Sequence, residues 1–195
     1  YHEHFSYFSL HTLSRIFASA GLRVFDVEEL ATQGGSLRIY GCHGDDARAA
    51  APAVAALLAE EEHRGLNQIA IYREFQPRAD RVKNTLIAFL LEQKRGGKHV
   101  AAYGAAAKGN TLLNYAGVKP DLLPFVCDAA PSKQGKFLPG VHIPILPPAA
   151  LRERRPDVVL ILPWNIADEV VSQHRYVREW GGRFVVAVPE LRDVA

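Results

Sequence analysis

The sequence contains no methionine. Tyr1 is therefore not expected to be a translation start, and the chain reads as the back part of something longer. Cysteine is almost absent too. Cys42 and Cys127 lie far apart and form no CxxC pair, which gives no zinc-ribbon or disulfide framework; reduced thiols in a cytoplasmic protein are the expectation. No apolar run approaches the roughly 18 residues of a membrane span, so no membrane partner is expected. No secretory leader is visible. Excess charge of one sign is also missing: 23 Lys and Arg against 21 Asp and Glu leave a net charge of +2. That balance argues against a dedicated nucleic-acid binder, which usually carries a basic face. It leaves room for a local cluster around a phosphorylated ligand.

What is present falls into three segments. In residues 1–45, Leu10, Leu13, Ile16 and Phe17 have helical spacing, with Ser9 as N-cap and Gly21 after the end. Strands are expected at 22–27 and 36–40, separated by Gly34-Gly35. Helix, strand, turn, strand is too little to bury a core alone and suits the last part of a larger α/β sheet. Residues 46–96 read as helical connectors, over 47–62, 64–75 (stopping near Pro77) and 79–94. Residues 97–195 alternate strand and helix, with strands at 99–103, 122–127, 158–162 and 183–188 and helices at 111–116 and 168–180. That alternation implies a parallel sheet, and such sheets bind ligands at the carboxyl ends of their strands.

The loop after Tyr103 is the first candidate site. Gly104-Ala105-Ala106-Ala107-Lys108-Gly109-Asn110 joins a strand to a helix. Small residues there let the backbone approach an anion at the positive end of the helix dipole. Lys108 adds a charge, and Asn110 adds hydrogen bonds. The spacing G-x-x-x-x-G, Gly104 to Gly109, is neither the dinucleotide fingerprint nor a Walker loop. The plainer alternative is a tight packing turn. Asp128 ends the next strand, where dinucleotide folds place an acid on ribose hydroxyls. Lys133, Gln134 and Lys136 follow, and two lysines on one edge suit a diphosphate, unless they are merely solvated. Trp164-Asn165 ends the third strand on the same rim. An indole there can stack on a base and an amide can read its edge; a structural Trp is the competing reading.

The sequence starts with Tyr1-His2-Glu3-His4, a phenol, a carboxylate and two imidazoles. Taken with Tyr7-Phe8-Ser9, Gly34-Gly35-Ser36-Leu37-Arg38, the Gly104–Asn110 loop, Lys133-Gln134-Gly135-Lys136 and Pro163-Trp164-Asn165, it resembles the S-adenosylmethionine (SAM) dependent sugar C-methyltransferases over essentially its whole length. The resemblance implies an α/β protein with three parts: residues 1–45 as the end of a SAM-binding domain, 46–96 as a helical connector, and 97–195 as a Rossmann-like domain that helps hold a nucleotide-linked sugar. It places a zinc region and most of the SAM site upstream, so this chain alone is not expected to turn over. The family pattern Tyr-x-Glu-His falls on Tyr1, Glu3 and His4. It implies His4 as the base that removes a proton next to a sugar ketone, Glu3 as its orienter or a sugar contact, and Tyr1 as a donor to the developing enolate oxygen. Without the resemblance, a capping and packing segment serves equally well. His2 matches no functional position. The alternative to a methyltransferase acting on a nucleotide-linked, expectedly dTDP-linked, deoxysugar is a nucleotide-binding module or an NAD-type oxidoreductase.

Overall fold

The computed structural model describes residues 5–195. They divide into two compact units, one ending at Pro77 and the other spanning Arg78–Ala195.

The first unit is a hairpin with helices. Helix α1, Leu10–Ser19, leads into strand β1, Leu22–Leu30, which pairs antiparallel with β2, Ser36–His43. Both strands run longer than their apolar cores predict, since the ladder extends through Glu28–Arg38. A register shift between Val24 and Asp26 bulges Phe25, over whose ring the Arg48 guanidinium sits at 4.7 Å. Helix α2, Pro52–His63, starts five residues later than its alanine-rich pattern suggests. The residue before a proline is pushed extended, and Ala51 duly has ψ 145° with Pro52 in the first turn. Leu10, Val24, Val27 and Val54 make a small core, edged by Phe17, Leu37, Ile39, Leu57 and Leu58. The helix expected at 64–75 shrinks to α3, Ile69–Arg73, because Gly65 turns left-handed at φ 75° behind α2.

Helix α4, Phe75–Arg95, runs through Pro77 instead of stopping there. Pro77 lies in its first turn, where no intrahelical N–H is needed. The helices expected over 46–96 thus pack in different places: α2 on the hairpin, α4 through Leu86, Phe89 and Leu90 on the sheet of the second unit.

That sheet holds β3 (Val100–Tyr103), β4 (Val126–Cys127), β5 (Ile145–Leu146), β6 (Val158–Ile161), β7 (Arg183–Val186) and β8 (Arg192–Val194). Their order is β5-β4-β3-β6-β7-β8, parallel except for β8. The α/β class and parallel sheet follow the sequence expectation. Numbered within the unit the order is 3-2-1-4-5-6, the dinucleotide-fold arrangement. Strands β3 and β6 are buried at every position, as expected when helices cover both faces. One face packs Val100, Ala102, Leu160 and Val185 against α4 and α5 (Ala107–Ala116). The other packs Ala101, Tyr103, Ile161 and Phe184 against α6 (Ala149–Arg154) and α7 (Ala167–Gln173). Chain alternation thus assigns successive side chains of each strand to opposite cores.

Three expectations need correction here. The strand placed at 122–127 pairs only at Val126–Cys127, Pro124 having no N–H to give a ladder. Strands β5 and β8 were invisible as two- and three-residue pieces. The helix placed at 168–180 breaks at His174, with a 3-10 segment over Arg175–Trp180 behind it.

Candidate ligand site at the strand switch point

Going along the chain from β3, the next strand lies on one side of it and β6 on the other. Loops leaving β3 and β6 therefore diverge, and the crevice between them is where open parallel sheets take ligands. The loop after β3 is shorter than its sequence suggests. Helix α5 starts at Ala107, not 111, so Lys108, Gly109 and Asn110 form its first turn. Ala106 is the N-cap and supplies no side-chain hydrogen bond.

Both loop glycines face β6. Gly104 has φ 92°, and a Cβ there would meet the Pro163 ring, with Cγ at 2.7 Å. A Cβ on Gly109 would lie 2.5 Å from Leu162 Cβ. The missing side chains thus let α5 and its loop close on the end of β6, and this packing explains both positions without an anion. The same closeness brings Lys108 and Trp164 together: the Lys108 ammonium lies 6.0 Å from the indole centroid. Lys108 and Trp164 are half-buried, while Asn165 and Lys136 are exposed. Asn110 is turned to α5 itself, where its oxygens accept from Asn114 Nδ2 at 2.9 and 3.2 Å.

Asp128 is only 7% exposed. Its Oδ2 accepts from the Ala105 N–H at 2.7 Å and its Oδ1 from the Ala130 N–H at 2.8 Å. Lys133 Nζ lies 3.2 Å from Oδ2. Gln134 donates to the Asp128 carbonyl at 2.9 Å. Of the residues singled out in the sequence, Lys133 pairs with the Asp128 carboxylate, Gln134 holds the Asp128 carbonyl, Gly104 bonds the neighbouring Cys127 carbonyl, and Lys108 meets Trp164. Tyr1, Glu3 and His4 lie outside the described residues.

Sequence reasoning missed the buried group beneath this rim. The His174 ring lies 4.3 Å from that of Tyr103, the last residue of β3, and its Nδ1 is 2.9 Å from Tyr176 Oη. Its Nε2 is buried without a hydrogen-bond partner among the described residues. Arg152 stacks on Tyr176 at 3.6 Å. Burial, with Arg152 adding repulsion, holds the imidazole below its ordinary 6.5, and burial raises the Tyr103 phenol, with Asp128 adding to it. A depressed histidine binds its proton more readily in the unfolded chain, so stability is present above 6.5 and is lost as pH falls toward the folded value. Thermal melts from about pH 7.5 down to about pH 5.5 should show this loss, and His174→Phe should flatten it. An unchanged pH slope in that variant would assign the loss elsewhere. Cys127, buried in the same layer, is pushed up to about 12 by desolvation and is no nucleophile at neutral pH.

Charge is unevenly shared, which the net value of +2 conceals. Residues 2–77 carry 6 Lys and Arg against 10 Asp and Glu, whereas residues 78–195 carry 17 against 11. The unit with the switch point therefore has the positive field that draws an anionic ligand.

Residues 31–189 match the model of the C-methyltransferase C-terminal domain. The chain belongs to that family. It is also 40% identical over 195 residues to the C-methyltransferase NovU of Streptomyces niveus, an alignment that covers 100% of this chain and 46% of that protein. The chain thus spans about half the length of this curated relative. The family match runs from just before β2 to just past β7, and so includes every candidate position from Gly104 to Asn165. Among the described residues no helix is long and apolar enough to cross a membrane.

Proposed function

We propose that this chain is the C-terminal part of a SAM-dependent C-methyltransferase that methylates a carbon next to the keto group of a nucleotide-linked deoxysugar, with dTDP as the expected nucleotide. The observation that carries the reading is a positively charged switch point, Lys108 beside Trp164, in a chain of the C-methyltransferase C-terminal domain family. An ammonium and an indole side by side suit a diphosphate next to a base. Lys133 and the uncapped first turn of α5 add to the same anion-binding edge.

Bound SAM supplies an electrophilic sulfonium methyl. Its binding falls mainly to residues beyond this chain. Among the described residues no three His, Cys, Asp or Glu side chains are placed to hold a metal, and zinc enters no step assigned to this chain. In the proposed chemistry the His4 imidazole takes the proton from the carbon beside the sugar ketone. Tyr1 donates a hydrogen bond to the oxygen on which charge develops, and Glu3 orients the imidazole. In the complete enzyme, His4→Ala should lower turnover while sugar-nucleotide binding stays nearly unchanged; undiminished turnover removes His4 as the base.

Calorimetric titration with dTDP, NADH and SAM tests the ligand assignment. Saturable dTDP binding without NADH binding is the expected result. The 3-2-1-4-5-6 strand order supports NAD-type dinucleotide binding as second reading, and preference for NADH would favour it. Lys108→Ala should weaken dTDP binding by about 1–3 kcal/mol, the scale of a charged hydrogen bond. Equal affinity in that variant removes the lysine from the site.

A further inference from the structure

In dinucleotide folds the acid at the end of the second strand reads the ribose. The geometry points to a different role here: we infer that Asp128 is a positioning residue, which fixes the turn after β3 and holds Lys133 beside it without touching the ligand's ribose. The inference rests on the ligand reading above for what the turn and the lysine bind.

The carboxylate lies at a junction of two loops. One oxygen takes the N–H of Ala105, directly after Gly104, and the other takes the N–H of Ala130 in its own loop. Gly104 N–H in turn donates to the Cys127 carbonyl at 2.7 Å, and Asp128 N–H to the Leu146 carbonyl at 3.1 Å. The acid is thus tied at its backbone to β5 and at its side chain to the turn after β3. Lys133 sits on the oxygen that also holds Ala105. The Lys133 side chain is 43% exposed while that of Asp128 is 10% exposed. The cation is therefore the more accessible member of the pair, and the anion is the member that faces the protein. The two main-chain donors at 2.7–2.8 Å and the Lys133 ammonium take three of the carboxylate's roughly four acceptor positions. Charge-assisted bonds of that length are the strong ones, and with the side chain only 10% exposed the remaining position is poorly placed to read a neutral hydroxyl.

Two measurements on Asp128→Asn test this. The first needs no ligand: amide hydrogen exchange by NMR. An Asn side chain keeps only one acceptor oxygen, so exchange at Ala105 or Ala130 should speed up by about 10- to 100-fold, the scale of one lost charged hydrogen bond, while Ala102 in β3 stays protected. Unchanged exchange at both amides overturns the positioning role, whether or not dTDP binds. The second compares dTDP with 2′,3′-dideoxythymidine diphosphate. Asp128→Asn should weaken both by the same factor, and Lys133→Ala, which weakens binding on its own, should add little in the Asp128→Asn protein. A loss confined to dTDP would show direct ribose contact and overturn the inference. Failure of the unaltered protein to bind either nucleotide would instead sink the ligand reading, and the exchange result would still decide what Asp128 does.

Discussion

Gly104→Ala should destabilise the second unit by about 2–6 kcal/mol, a large part of the roughly 5–15 kcal/mol that holds a typical domain together. Two costs add. At φ 92° an alanine occupies backbone space that L residues rarely enter, worth about 1–3 kcal/mol. Its Cβ also meets the Pro163 ring, which has no rotamer to escape into, and overpacking of this kind costs about 1–3 kcal/mol. Gly109→Ala is the informative companion. In an isolated helix that change would help by about 0.5–1 kcal/mol. Here the new Cβ would lie 2.5 Å from Leu162 Cβ, so the packing cost should exceed the propensity gain and the variant should be less stable. Chemical denaturation of both variants measures the two effects. A Gly104→Ala midpoint equal to that of the unaltered protein would mean that the loop is not pressed against β6.

These glycines show how much of the site was legible in the sequence. Their spacing and their place after a strand located the loop correctly. Their reason was not legible: a glycine that admits an anion and a glycine that admits Pro163 look identical in one dimension. The same holds for Asp128. Its position at a strand end suggested a ligand contact, but its actual partners, the amides of Ala105 and Ala130, are main-chain groups that no residue pattern advertises. The parallel sheet was readable because β3, β6 and β7 are apolar runs that stay buried on both faces. Strand order was not, since it depends on which side of β3 each crossover returns to. Strand β5 escaped notice because two paired residues, Ile145 and Leu146, carry no period. His174 looked like one more residue of a helix; only the fold places its ring against Tyr103.

Glu61→Ala should destabilise the first unit by about 3–6 kcal/mol, although Glu60-Glu61-Glu62 reads as a solvated acidic run. Glu61 is 5% exposed. Its oxygens accept from the N–H groups of Leu10 at 2.5 Å and His11 at 2.8 Å, fifty residues away. Helix α1 begins at Leu10, so these are its first two orphan donors. The third is served by the Ser9 cap, whose Oγ accepts from Thr12 at 3.2 Å, and the regular ladder begins where the Ser9 carbonyl accepts from Leu13 at 3.0 Å. The donors of Leu10, His11 and Thr12, which the helix itself cannot pair, are therefore all satisfied, two of them by a side chain from α2. Bonds to a charged group contribute about 1.5–3 kcal/mol each, and removing the acceptor leaves buried donors stranded. The carboxylate also sits at the positive end of the α1 dipole. Ser9→Ala, which removes one neutral cap at an exposed site, should cost only about 1 kcal/mol. Glu61→Gln keeps one acceptor and drops the charge, so its cost should lie between these two. The ranking in denaturation midpoints is the test: if Glu61→Ala is no worse than Ser9→Ala, the carboxylate does not hold α1 to α2, and the small core of Leu10, Val24, Val27 and Val54 must do so alone.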